Sequence, residues 1–159
     1  MEKEIILITG AGGWLGSELT SQLLEQGKRV RAFNKDLTKS LERLKNIYGD
    51  LLEIVIGDIL DYGKIEEAIN GVKEVYHLAA KVHFIPTNKK EEEDFYKINS
   101  EATKNIFKYC LKYNVRRVIF FSSVSVFKKN NNVISEKSEK KPDTTYGKSK
   151  LKAEDIGIE

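Results

Sequence analysis

Apolar residues follow two rhythms along this chain. Short runs, such as EIILIT at 4–9, LLEIVI at 51–56 and RVIFFS at 117–122, are apolar at most positions. They alternate with segments in which Leu, Ile or Phe recurs every three to four residues. The first kind reads as strands buried on both faces, the second as helices with one buried stripe. The spacing predicts strands over 4–9, 29–34, 51–56, 74–78 and 117–122, and helices over 13–26, 37–48, 64–69, 92–113 and 145–156. In the first helix Leu15, Leu19, Leu23 and Leu24 share a stripe, and Gly27 is the stop. Repeated strand–helix units imply right-handed crossovers and a parallel, doubly wound α/β sheet.

Composition narrows the classes. With 159 residues and 40% hydrophobic content the chain can bury one core, so a single domain over 1–159 is expected. Its 27 Lys and Arg against 24 Asp and Glu give a formal charge of +3. The positives are spread out, and doublets such as Lys89-Lys90, Lys128-Lys129 and Lys140-Lys141 read as solvated surface, so nucleic acid is not an expected partner. The single cysteine, Cys110, sits in an apolar pattern with Ile106, Phe107 and Leu111 and reads as a buried helical residue; no disulfide can form within the chain. No apolar run reaches the ~18 residues of a membrane span, so a cytoplasmic protein without a membrane partner is expected. His77 and His83 lack a third ligand, which argues against a metal site. Asn130, Asn131 and Asn132 read as a loop tip.

The stretch ITGAGGWLG places Gly10, Gly13 and Gly16 where the first strand ends and the first helix begins. A pyrophosphate is held well at a helix N-terminus, where unpaired N–H groups and the helix dipole favour anions. Gly10 would make the tight turn, Gly13 would admit the pyrophosphate against bare backbone, and Gly16 would let the helix pack closely on the strand. This reading implies a dinucleotide, NAD or NADP.

A second constellation lies near the C-terminus. YGKSK sets Tyr146 and Lys150 four apart on a predicted helix, hence one turn apart on one face. A phenol, with an ordinary pKa of about 10, is a poor general base at neutral pH, and a neighbouring ammonium favours its charged form.

Together with Gly57-Asp58-Ile59 after the third strand, His77-Leu78-Ala79-Ala80 at the fourth, Asn99 in NSEAT and SSVSVF before YGKSK, these motifs resemble the short-chain dehydrogenase/reductase superfamily. The G-x-x-G-x-x-G spacing is similar to that of its extended branch, the NAD-dependent sugar-nucleotide epimerases and dehydratases. The resemblance covers essentially the whole chain and implies a Rossmann fold with strand order 3-2-1-4-5. It implies cofactor contacts at Gly10, Gly13, Trp14, Leu15, Gly16, Asn34, Lys35, Asp58, Ile59, Ala79, Ala80, Tyr146 and Lys150. Asp58 and Ile59 would flank the adenine, and Asn99 would brace the active site. Tyr146 would exchange a proton with the substrate. Lys150 would support it and bond the nicotinamide ribose, and Ser123 would steady the reacting oxygen, with Ser122 and Ser125 as alternatives. Trp14 reads as packing over the loop.

Two departures matter. NAD-preferring relatives carry an acid at the end of the second strand, where this chain has Asn34 followed by Lys35, so NADP is expected to be accepted and favoured; Asp36 reads as the start of the next helix. Extended members also continue past the Tyr/Lys helix with further strands and a substrate domain. The chain is therefore expected to be an N-terminal fragment, inactive alone, with VIFF at 118–121 as an exposed apolar edge. The resemblance further implies a homodimer through the helices at 92–113 and 145–156. A nucleotide sugar is the leading substrate class. The segments VRAF, GVKEVYHLAA and NVRRVIFFSS also resemble the superfamily's ketone reductases, which act on small carbonyl substrates, and a non-catalytic dinucleotide-binding module is the other alternative.

Overall fold

The computed structural model describes residues 4–82, 85–128 and 133–158; His83 and Asn130 to Asn132 lie outside them. The chain divides into two compact units, one of Met1–Ala79 with Ile106–Phe121, the other of Ala80–Asn105 with Ser122–Glu159.

The first unit holds one five-stranded parallel sheet: β1 (Ile5–Thr9), β2 (Arg29–Asn34), β3 (Leu52–Ile56), β4 (Val72–His77) and β5 (Arg117–Phe120), in the order β3-β2-β1-β4-β5. Its helices are α1 (Trp14–Glu25), α2 (Lys39–Tyr48) and α3 (Tyr62–Ile69), joined by the part of α5 (Ala102–Lys112) from Ile106 onward. Alternation along the central strands feeds two cores. Ile6, Ile8, Val30 and Ala32 pack with Leu23 and Leu24 of α1 and Leu41 and Leu44 of α2. Leu7, Phe33 and Val75 pack with Ile65 and Ile69 of α3 and Ile106 and Cys110 of α5. Helices on both faces explain why the strands are apolar on both sides.

The boundaries differ from the periodicity for local reasons. α1 ends at Glu25, two residues before Gly27, whose φ of +71° accompanies bonds from its own N–H to the Leu24 carbonyl and from the Lys28 N–H to that of Leu23. Its buried positions include Thr20, Leu23 and Leu24, whereas Leu15 is 55% exposed and falls off the expected stripe. α2 starts under Thr38, so neither Leu37 nor Asp36 opens it. α3 starts two residues earlier than expected, under Asp61. β4 begins at Val72 and ends at His77, leaving Leu78 to the following loop. β5 stops at Phe120 and lies at an edge as expected, yet its apolar residues are half-buried, with Phe120 edge-on to Phe107 at 6.1 Å between ring centroids.

The second unit is helical. α4 (Lys89–Tyr96) is capped by Asn88 and continues through wider turns at Lys97–Glu101 into α5, so the helix expected over 92–113 starts earlier and is not uniform. α6 (Thr145–Ile158) packs on α4, on those wider turns and on a single tight turn at Val124–Val126. Phe95, Ala102, Val126 and Ala153 are buried, beside the polar Asn99, Ser100, Thr103, Ser149 and Lys150.

Candidate active site

In the first unit the backbone after β1 turns sharply. Gly10 has a φ of +72°, donates to Phe33 O at 2.9 Å and accepts from the Gly13 N–H at 3.0 Å, which makes it the tight turn. A Cβ there would stand 2.8 Å from Ala79 N, and one on Gly16 only 2.1 Å from Gly10 O. Gly16 therefore lets α1 sit on the loop itself rather than on the strand. Gly13 differs: it is exposed, and a Cβ would meet only Gly10 O, at 3.2 Å.

α2, α3 and α4 begin under the side chains of Thr38, Asp61 and Asn88. α1 begins at Gly13 with no side-chain cap and no acid in its first turn. Among the described residues no side chain caps its leading N–H groups and positive dipole end, and Gly10, Gly12 and Gly13 before it carry no Cβ. These residues fit a pyrophosphate. Trp14 and Leu15 in this first turn are 87% and 55% exposed, so the indole does not pack over the loop as expected.

At the end of β2 the Asn34 carboxamide accepts the Gly12 N–H at 3.0 Å and donates to Asp36 O at 2.7 Å. A Cβ on Gly12 would lie 2.5 Å from Asn34 Nδ2, a role for Gly12 that glycine spacing does not reveal. Lys35 Nζ lies 3.2 Å from Asp58 Oδ2. The Leu60 N–H, bonded to Asp58 Oδ1 at 2.9 Å, and Lys35 together hold that carboxyl below its ordinary range. Ile59 is half-buried at the margin of the core. Between β1 and β4, Thr9 Oγ1 and His77 Nδ1 share a 2.6 Å hydrogen bond, and the Ala79 N–H donates to Thr9 Oγ1 at 3.3 Å. His77 is therefore a buried tie between strands. Ala79 and Ala80 are half-buried.

The second unit assembles the other constellation. Ser123 caps the turn at Val124–Val126, its Oγ accepting the Ser125 N–H at 3.1 Å, which leaves the hydroxyl hydrogen able to donate elsewhere. A Cβ on Gly147 would stand 2.2 Å from Ser125 O, so Gly147 allows the first turn of α6, with Tyr146, to lie against that turn. Ser122 is exposed. The Tyr146 ring meets Phe95 edge-on, 6.5 Å between centroids.

Asn99 sits in the wider turns before α5 and exchanges hydrogen bonds with the Lys81 backbone, accepting at 2.7 Å and donating at 3.1 Å. It also donates to Ser149 Oγ at 2.9 Å, and Ser149 Oγ donates to Tyr146 O at 2.8 Å. Ser100 Oγ donates to Ser149 O at 2.9 Å. Asn99 is thus a brace, as expected, and Ser149 is the residue that its position between Tyr146 and Lys150 did not single out. Lys150, one turn after Tyr146, is 2% exposed. Burial pushes its ammonium down to about 8, with Glu154 opposing the shift.

The sequence profile of the NAD dependent epimerase/dehydratase family matches residues 6–158. The chain belongs to this family. A cinnamoyl-CoA reductase 1 from Petunia hybrida is 36% identical over 125 residues, 76% of this chain and 35% of that protein. A dihydroflavonol 4-reductase from Arabidopsis thaliana is 34% identical over 143 residues, 85% and 37% of the two chains. Among solved structures, MoeE5 in complex with UDP-glucose and NAD superposes with a TM-score of 0.83 at 28% identity, covering 96% of this chain and 48% of that one. WbmG from Bordetella bronchiseptica in complex with NAD and UDP gives 0.82 at 28%, covering 99% and 50%. The chain therefore spans about a third of these curated relatives and about half of these solved chains. Among the described residues no helix is long and apolar enough to cross a membrane.

Proposed function

We propose that residues 1–159 are the NAD(P)-binding domain of an oxidoreductase that acts on a nucleotide sugar as an epimerase or dehydratase. The observation that carries this reading is the uncapped start of α1 behind Gly10, Gly13 and Gly16, which suits a dinucleotide pyrophosphate. Tyr146, Lys150 and Ser123 supply the proton chemistry. Tyr146 Oη, as the phenolate that the Lys150 ammonium favours, accepts the proton of a sugar hydroxyl as that carbon is oxidised, and Ser123 Oγ donates to the reacting oxygen. When bound, the nicotinamide supplies reversible hydride acceptance. NADP is accepted, since the end of β2 carries Asn34 followed by Lys35 in place of the acid that NAD-preferring relatives have there. Assembly as a homodimer through the helical segments at 92–113 and 145–156 belongs to the same reading.

A second reading, an NADPH-dependent reductase of a small carbonyl compound, is favoured by the reductases among the sequence relatives. Cofactor turnover separates the two in the full-length natural protein. Supplied with a nucleotide sugar, an epimerase converts it with no net change in nicotinamide absorbance, whereas a reductase consumes NADPH in proportion to product. Bound cofactor with neither activity would refute both and leave a binding module.

A further inference from the structure

An ion pair stands at the ends of β2 and β3, where the proposed reading would set the ribose of the dinucleotide. Lys35 directly follows β2 and Asp58 lies just beyond β3, the neighbouring strand of the sheet. Their charged atoms stand 3.2 Å apart, with side chains 73% and 45% exposed. Asn34, which precedes the lysine, has its carboxamide engaged by Gly12 N–H and Asp36 O. Beside that engaged carboxamide Lys35 and Asp58 present opposite charges, with the Lys64 ammonium 3.2 Å from Ile56 O at the end of β3.

We propose that Asp58 is a specificity-determining residue that sets the choice between NADP and NAD by competing with the 2′-phosphate for Lys35. This rests on the dinucleotide-binding reading above. A phosphomonoester carries nearly two negative charges at neutral pH, whereas the hydroxyl of NAD carries none. An exposed ion pair shifts an equilibrium by only about fivefold at most, so Lys35 leaves Asp58 for the phosphate readily. The carboxylate stays behind, anchored by the Leu60 N–H at 2.9 Å, and repels the incoming phosphate. Competition and repulsion act in one direction: each lowers affinity for NADP relative to NAD, while a contact of Asp58 with the adenine is common to both dinucleotides and cancels in their ratio. Salt weakens both effects.

The test is a calorimetric titration of NADPH and, separately, NADH into the purified full-length natural protein and its variants Asp58→Asn, Lys35→Gln and the double variant, at low and moderate salt. Asp58→Asn is expected to raise the ratio of NADPH to NADH affinity about three- to tenfold at low salt, an effect that shrinks with added salt. Lys35→Gln, at an exposed position where folding is not in question, is expected to lower the ratio. In the Lys35→Gln background the Asp58→Asn effect is expected to fall to the part due to repulsion alone. A ratio that Asp58→Asn leaves unchanged, or a ratio indifferent to Lys35→Gln, overturns the proposal even where both dinucleotides bind. Binding of neither dinucleotide by the folded wild-type full-length protein overturns the dinucleotide-binding reading itself, and the proposal with it.

Discussion

Asn99 donates a hydrogen bond to Ser149 Oγ at 2.9 Å across fifty residues of sequence, and the serine passes its own hydrogen to Tyr146 O at 2.8 Å. One buried hydroxyl thus ties the turns before α5 to the first turn of α6. Replacing Ser149 with Ala leaves a buried amide hydrogen of Asn99 without its acceptor, which costs about 1–3 kcal/mol. Urea unfolding of Ser149→Ala measures this directly, and a loss below about 0.5 kcal/mol would show that the tie contributes little. Asn99→Ala, which also breaks both bonds to the Lys81 backbone, is expected to cost more.

Lys150 makes a prediction with a definite sign in pH. Its ammonium titrates near 8 in the folded chain, below its ordinary value of 10.5, because it is buried. Between these values the unfolded chain holds the proton and the folded chain does not, so stability rises with pH across the window; below pH 8 the penalty is fully present. Lys150→Met should therefore stabilise the chain at pH 7 by about 1–3 kcal/mol, with the advantage shrinking as pH rises toward 10. Paired denaturation curves at pH 7 and pH 9.5 check it. Under the proposed function the same substitution in the full-length natural protein loses turnover.

The glycine loop separates steric need from ligand need. Gly16→Ala would force a Cβ to within 2.1 Å of Gly10 O and is expected to destabilise the chain by several kcal/mol or prevent folding. Gly13→Ala meets only a 3.2 Å contact and should cost about 1 kcal/mol, while placing a methyl group where the pyrophosphate would approach. Thermal melting and dinucleotide titration of the two variants should dissociate: the first fails in melting, the second in binding.

Cys110 is 4% exposed on α5, and burial pushes its thiol up to about 12. The folded chain is expected to resist thiol reagents at pH 8 and to react quickly once unfolded. Fast modification of the native protein would mean that α5 opens readily.

The sheet was legible because a parallel strand covered on both faces has little room for polar residues. Ile6, Leu7 and Ile8 are buried on alternate sides, so the run betrays the strand. Helix starts were less legible, since they are set by single caps: Thr38 and Asp61 decide where α2 and α3 begin, and apolar periodicity does not register them. Tyr146, Lys150 and Ser123 stood out by motif, and in the structure the turn at Val124–Val126 that Ser123 caps packs on α6. Gly12, Gly147 and Ser149 did not, because what makes them necessary is a distant partner: Asn34, Ser125 and Asn99 respectively. Leu15 and Trp14 misled for the opposite reason. Their apolar character suggested packing, but they sit in the first turn of α1, where the helix is not covered.

The chain contains one tryptophan, and it stands almost fully in solvent at the head of α1. Its fluorescence therefore reports on this one turn of backbone, uncontaminated by any other indole. A water-bathed emitter is red-shifted and open to collisional quenching by iodide. A reduced nicotinamide dinucleotide absorbs where the indole emits, so its arrival would draw energy from Trp14. The molecule carries its own optical gauge at the place where its glycines meet its first helix.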